Sequence, residues 1–201
     1  MNMVLGLTGQ TGAGKSTVCR ILQNEPEVCV VDADKIARQV ISSGTDCLAE
    51  IVLHFSITVL NEDGTLNRKR LAAEVFNDRN KLKELNQITF PYIIASMRNE
   101  IKKGLESGHK IVILDAPALF ESKADKLCDK VLAVIADAGL RRQRIMSRDH
   151  LTEQEALARM NSQHADDFYT SRADYVICND GDAAALRLQV VELAEKLREQ
   201  S

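Results

Sequence analysis

From Gly9 to Thr17 the chain reads Gly-Gln-Thr-Gly-Ala-Gly-Lys-Ser-Thr, with Gly9, Gly14, Lys15 and Ser16 at the spacing of a phosphate-binding loop. Each residue type has a task. Gly9, Gly12 and Gly14 let the backbone turn its N–H groups inward on an anion. Lys15 brings a compact positive charge to the β- and γ-phosphates, and the Ser16 hydroxyl is placed to ligate Mg²⁺. Thr17 is expected to open a helix whose N-terminal dipole adds to the anion site. Gly12, Ala13, Gly14, Lys15, Ser16 and Thr17 are therefore the candidate contacts of a nucleoside triphosphate. The loop leaves open whether the phosphoryl group goes to water, to a protein or to a small molecule.

Other groups fit the same chemistry. Val28–Val31 is an apolar run of the kind found in central parallel strands, and it leads into Asp32 and Asp34. Ligands of open parallel sheets sit beyond the carboxyl ends of strands, so both aspartates are expected near the mouth of the loop. Asp32 can equally be a helix N-cap. Asp115 follows the run Ile111–Leu114 and reads either as a Mg²⁺-holding carboxylate or as a strand-end Asp bonded to nearby N–H groups. Arg141, Arg144 and Arg148 fall at i, i+3 and i+7 on one helix face, and Thr152 with Glu155 forms a capping box opening a helix that carries Arg159 and Gln163. An arginine face is commonly just solvated. Beside a phosphate loop it can instead place cations over a migrating phosphoryl group. Asn179-Asp180-Gly181 forms a turn after the last strand, where Asn179 and Gly181 could border the nucleotide base.

The elements that must position these groups are five short strands, Met3–Leu7, Val28–Val31, Ile111–Leu114, Val131–Ile135 and Tyr175–Cys178, alternating with helical patterns. That alternation predicts an α/β fold with a five-stranded parallel sheet and right-handed crossovers. Helices are expected over Lys35–Val40, Cys47–Phe55, Arg68–Phe76 with Asn67 as cap, Lys81–Ile88 stopping before Phe90-Pro91, and Tyr92–Leu105. Only helices fill about residues 35–105, so part of that segment reads as an inserted substrate-facing lobe within a single domain spanning residues 1–201. A final helix buries Leu186, Val190, Leu193 and Leu197.

Composition narrows the partners. The chain has 201 residues, a formal charge of −3 and 27% charged residues, which describes a well-solvated globular protein without a general nucleic-acid-binding surface. Its five cysteines form no C-x-x-C pair, which suits a reducing cytosol. Met1–Leu7 lacks the marks of a signal peptide, and no apolar run approaches the roughly 18 residues a membrane span requires. A cytoplasmic location, no membrane association and no obligate protein partner are expected.

Along nearly its whole length the sequence resembles the bacterial dephospho-CoA kinase family, P-loop kinases built like the nucleoside monophosphate kinases. The resemblance rests on Gly6-Leu7-Thr8-Gly9 entering the loop, Val31-Asp32-Ala33-Asp34-Lys35-Ile36-Ala37-Arg38, Asn67-Arg68 ahead of Leu71 and Val75-Phe76, and Leu85-Asn86-Gln87-Ile88-Thr89-Phe90-Pro91. It continues through Pro117–Glu121, Arg148-Asp149 with Arg159 and Gln163, and Ala173–Asn179.

What the resemblance implies is transfer of the γ-phosphoryl of ATP, with Mg²⁺, to the ribose 3′-hydroxyl of dephospho-CoA, the last step of coenzyme A synthesis. Catalysis would fall to Lys15, Asp34, Arg144 and Arg148. Substrate contacts would fall to Thr8, Asp34, Arg38, Arg68 and Arg159, nucleotide contacts to residues 12–17, Arg148, Asn179 and Gly181, and metal contacts to Ser16, Asp34 and Asp115. Asp34 would orient the hydroxyl and accept its proton, or serve mainly as a metal ligand. A carboxylate is a weak base, so orientation matters more than early proton removal. Helices between the second and third strands would form the CoA-binding lobe, and about residues 141–172 a closing lid. Phe90 departs from the family pattern, which has His before that proline, and Ala118 stands where Leu is usual. The alternatives are a kinase for another small acceptor, such as a nucleoside monophosphate, or a nucleotide-hydrolysing switch. Asn80-Lys81-Leu82-Lys83 lacks the Asp of a guanine-reading segment, which counts against a GTPase.

Overall fold

The computed structural model describes residues 2–75 and 78–200. Phe76, expected to end a helix, lies outside the described residues. Two compact units are present, one made of Met1–Val31 with Ile101–Ser201, the other of Asp32–Glu100.

Strands β1 (Met3–Gly9), β2 (Val28–Asp32), β3 (Ile111–Asp115), β4 (Lys130–Ile135) and β5 (Tyr175–Cys178) form one parallel sheet in the order β2-β3-β1-β4-β5. β1 is the middle strand, with Leu5 opposite Ile113 of β3 and Gly6 opposite Val131 of β4. All seven of its residues are buried, as expected of a strand covered on both faces. Leu5, Leu7, Ile111, Ile113, Leu132, Val134 and Ile177 share one cluster with Val18 and Leu22 of α1 (Lys15–Gln23). The same cluster takes in Leu186, Val190, Leu193 and Leu197 of α9 (Ala183–Gln200), the apolar stripe expected of the last helix. Alternate strand residues, among them Val112, Leu114, Val131 and Ala133, are buried as well. Period-two exposure is thus absent from the central strands, and chain polarity is confined to their ends.

α6 (Ala138–Asp149) starts on the cap Asp137, whose side chain accepts from the N–H groups of Gly139 and Leu140. It ends at His150, a left-handed residue with φ 53° that breaks the helix before α7 (Glu153–Asn161). The capping box of Thr152 and Glu155 is formed at the start of α7. A short helix α8 (Asp166–Thr170) leads back to β5.

The second unit is helical. Asp32 caps α2 (Ala33–Gln39) through the Lys35 N–H, and Thr45 caps α3 (Asp46–Phe55) through that of Leu48. Asn67 caps α4 (Arg68–Val75), its side chain accepting from the Arg70 N–H at 3.0 Å. Cys47, Ile51, Phe55, Val59, Leu71 and Val75 form the core of this unit.

One expectation fails here. Two helices separated at Phe90-Pro91 were expected, but a single helix of 28 residues, α5 (Arg79–Glu106), runs through Pro91. A mid-helix proline removes one ladder hydrogen bond and costs about 3 kcal/mol. Leu85 and Ile88 before the proline and Tyr92 after it all pack on the same core, so burial on both sides holds the helix together. The first helix also begins earlier than expected, at Lys15 instead of Thr17, because Gly14 takes the N-cap position in a left-handed conformation.

Gly9 ends β1 at φ 145°, and a methyl added there would stand 2.2 Å from the Val134 carbonyl oxygen of β4. Gly9→Ala should therefore destabilise the protein by about 2–4 kcal/mol in urea unfolding, through strain and overpacking. A loss of under about 1 kcal/mol, the level of an ordinary tolerated substitution, would show that β1 and β4 can part at this point.

Candidate functional site

The loop after β1 offers more hydrogen-bond donors than the protein uses. Ala13 N–H donates to the Gln10 carbonyl at 3.2 Å, and the N–H groups of Thr17 and Val18 donate to the Gly14 carbonyl. Thr11 N–H is taken by the Gln163 side chain at 2.8 Å. The N–H groups of Gly12, Gly14, Lys15 and Ser16 have no acceptor among the described residues. They crowd the start of α1, where the helix dipole already favours an anion. Four such donors in a glycine turn are what a polyphosphate requires, so the residues present fit the expected nucleotide.

Supports on the far side hold the loop. Asn179, directly after β5, is buried at 7% exposure and donates its amide to the Ala13 carbonyl at 2.8 Å. A Cβ at Gly14 would lie 2.2 Å from that amide nitrogen, so glycine is required by crowding as well as by φ 98°. Asn179, expected to border the base, is thus engaged with the loop backbone, while Gly181 remains exposed. Thr8 is also internal, and its hydroxyl donates to the Pro117 carbonyl at 3.1 Å, fixing the segment after β3.

Lys15 forms an ion pair with Asp115 at the end of β3, both side chains being largely buried. The two readings of Asp115, metal carboxylate or backbone acceptor, are joined by a third: it neutralises the loop lysine. Ser16 and Thr17 are exposed. Among the described residues no group of three or more His, Cys, Asp or Glu side chains is able to hold a metal ion.

On α6, Arg144 donates to the carbonyls of Asn179 at 2.9 Å and Gly12 at 3.4 Å, gripping the loop from outside. Arg148 makes a two-pronged contact with Asp149, both bonds 2.8 Å long, and Arg159 of α7 donates to the same carboxylate. The left-handed turn at His150 brings these two arginines, eleven residues apart in sequence, onto one anion. The Arg148 hydrogen bonds, together with the charges of Arg148 and Arg159, pull the Asp149 carboxyl down to about 2. Gln10 ties the loop to the end of this arm, its Nε2 donating to the His164 carbonyl at 2.9 Å. Sequence patterns gave no sign of that contact, because an x position of the loop motif carries no required residue.

The second unit holds a cavity of about 450 Å³. Asp34, Arg38 and Arg68 line it, with Asn86, Thr89 and Phe90 contributed by α5. Asp34 and Arg38 stand one turn apart on α2, and both are exposed, as is Arg68. Ile41, Ile51, Leu71, Leu85 and Ile93 supply an apolar wall. Ile51 and Leu71 also belong to the core of this unit, so core side chains rim the cavity. Two guanidinium groups, one carboxylate, an aromatic ring and an aliphatic wall suit an anionic ligand with a large nonpolar part.

Comparison with known proteins agrees with this geometry. The family model described as dephospho-CoA kinase matches residues 3–185. A dephospho-CoA kinase of Listeria innocua is 42% identical over 196 residues, covering 98% of each chain. That of Saccharomyces cerevisiae is 38% identical over 200 residues, 98% of this chain and 83% of the yeast one. The solved dephospho-CoA kinase of Campylobacter jejuni superposes with a TM-score of 0.75 at 29% identity, covering 100% of this chain and 99% of that one.

The clamp on Asp149 makes a pH prediction. Its folded value lies below the ordinary carboxyl value, so its stabilisation is complete above the unfolded pKa near ~3.9 and is lost as pH falls through about 2. A carboxyl-carbon NMR titration should find a midpoint near 2, and Arg159→Ala should raise it. A midpoint at the ordinary carboxyl value would show that the arginines do not hold Asp149 in solution.

Proposed function

The chain belongs to the dephospho-CoA kinase family, and from that premise we propose how its own residues carry the activity. It is a kinase of coenzyme A synthesis that uses ATP to phosphorylate dephospho-CoA. The observation that carries the reading is the set of unpaired amides at Gly12, Gly14, Lys15 and Ser16, a polyphosphate cradle already built. Gly12–Thr17 bind the ATP phosphates, and Lys15 leaves Asp115 for the β- and γ-oxygens. When bound, Mg²⁺ would be held by Ser16 and Asp115, with Asp34 the alternative carboxylate, and would supply charge neutralisation on the triphosphate.

On the acceptor side, Arg38 and Arg68 bind the diphosphate of dephospho-CoA, and the apolar wall with Phe90 takes its nonpolar part. Phe90 has no proton to give or accept, so its contribution is a ring face. Asp34 receives a hydrogen bond from the ribose 3′-hydroxyl, aims an oxygen lone pair along the transfer line, and takes the proton late. Arg144, Arg148 and Arg159 supply positive charge to the phosphoryl group in flight, Arg148 and Arg159 after exchanging Asp149 for phosphate oxygens. Thr8 acts on substrate through the Pro117 segment that it anchors. Asn179 acts on nucleotide by setting the loop, and Gly181 lies where the base would be bordered. Five free cysteines suit the reducing cytoplasm proposed as the place of work.

ADP release measured over dephospho-CoA, AMP, CMP and pantothenate tests the assignment. Release should require dephospho-CoA, and release that is independent of acceptor, or fastest with AMP, would overturn it. Lys15→Ala should lose about 10²-fold or more in turnover while keeping a cooperative thermal melt without nucleotide, since the lost charge faces phosphate and not the apolar core. Asp34→Asn should lower kcat by a similar factor with ATP affinity kept. A main defect in Mg²⁺ dependence would assign Asp34 to the metal instead, and turnover within a few-fold of wild type would remove it from the chemistry.

A further inference from the structure

Arg141 is the first residue of the arginine face of α6 and the only one of Arg141, Arg144 and Arg148 that is buried, at 7% exposure. Its Nε and Nη1 are fully enclosed and lack a hydrogen-bond partner. The neighbouring arginines are matched, Arg142 with Glu153 and Arg148 with Asp149, whereas Arg141 has no ion pair among the described residues. A guanidinium cannot escape burial by losing its proton, as a lysine can. An unpaired buried cation is therefore among the most costly groups a fold can carry, unless something outside the chain supplies the missing charge.

Its position says what that something is. The Arg141 backbone presses on the phosphate loop, and a methyl at Gly12 would stand 2.7 Å from the Arg141 carbonyl oxygen and 3.0 Å from its Cα. Tyr169 of α8 is near enough to feel its charge. Burial raises the Tyr169 hydroxyl, the charge of Glu121 adds to that, and Arg141 is the cation that opposes it. Gln10, in the same loop, carries a third buried unpaired atom, its Oε1, which is an acceptor and so is not met by phosphate. Buried donors without acceptors on α6 thus border a loop whose own amides at Gly12, Gly14, Lys15 and Ser16 also lack acceptors. One polyphosphate satisfies both sets.

We propose that Arg141 is a phosphate ligand of the nucleotide site, closing its fork on an oxygen of the triphosphate seated in the loop. It differs in kind from Arg148 and Arg159, which must give up Asp149 to reach a ligand. Arg141 has no anion to give up, so the nucleotide is its counter-ion. The inference rests on the reading of the loop as the ATP site.

Arg141→Met keeps the buried stem and removes the charge, which separates ligand binding from packing. Without nucleotide this variant should melt at or above the wild-type temperature, because an unpaired buried charge has been deleted. Its affinity for Mg²⁺-ATP should fall at least tenfold, and its affinity for inorganic tripolyphosphate by a similar factor, since the contact is to phosphate and not to the base. Lower melting with ATP affinity within twofold of wild type makes Arg141 a structural residue and overturns the proposal. Should Arg141→Met not fold, Arg141→Lys decides: near-wild-type melting with severalfold weaker ATP binding supports the fork, and unchanged binding overturns it. A wild-type protein that binds neither ATP nor tripolyphosphate would instead remove the ATP reading of the loop, and the proposal with it.

Discussion

The start of α1 holds more N–H donors than the protein can satisfy, and much of the first unit is explained by the need to keep them so. Amides left alone tend to find acceptors, and a glycine-rich segment is free to fold back on itself. Here that collapse is prevented from several sides. Asn179 takes the Ala13 carbonyl, Arg144 the Gly12 carbonyl, and Gln163 the Thr11 N–H. None of these contacts uses the N–H groups of Gly12, Gly14, Lys15 or Ser16, which stay without acceptors among the described residues. The anchor beneath them is β1, buried over its full length between β3 and β4, whose end at Gly9 lies directly against the Val134 backbone of its neighbour strand.

The same donors could be foreseen because they belong to a local code. Spacing within nine residues specifies the loop, and short apolar runs specify the five strands to within one or two residues at most ends. The capping residues Asn67, Thr152 and Asp32 were visible for the same reason, since a cap satisfies donors only two or three positions away. What stayed hidden depends on residues distant in sequence. Pro91 would end an isolated helix, and only the packing of Leu85, Ile88 and Tyr92 on one core keeps α5 whole. Asn179 looked like a turn residue bordering a ligand, and it is buried because the loop of β1 returns to meet it 166 residues away in sequence. Helical periodicity put Arg141, Arg144 and Arg148 on one face and could not tell that the first is enclosed, the second bonded to backbone and the third exposed.

Charge is distributed across the two units in different ways. In the first, most of the cations near the loop already have partners: Lys15 has Asp115, and Arg148 and Arg159 share Asp149. In the second, Arg38 and Arg68 line a cavity against the single carboxylate of Asp34. A ligand entering that cavity meets a net positive wall, and one entering the loop meets a larger cationic excess, because Asp115 and Asp149 offset only two of the charges of Lys15, Arg141, Arg144, Arg148 and Arg159.

The ion pair of Lys15 with Asp115 therefore works as a threshold. A small monovalent anion that reaches the loop can replace the carboxylate only one contact for one, which gains almost nothing once its own hydration is lost. A chain of phosphates is different, because its first contact with the loop amides holds the next oxygen beside Lys15 at high local concentration. Such chelation lets each oxygen displace Asp115 without paying again for the loss of translational freedom. The pair thus favours a chain of phosphates over a single small anion.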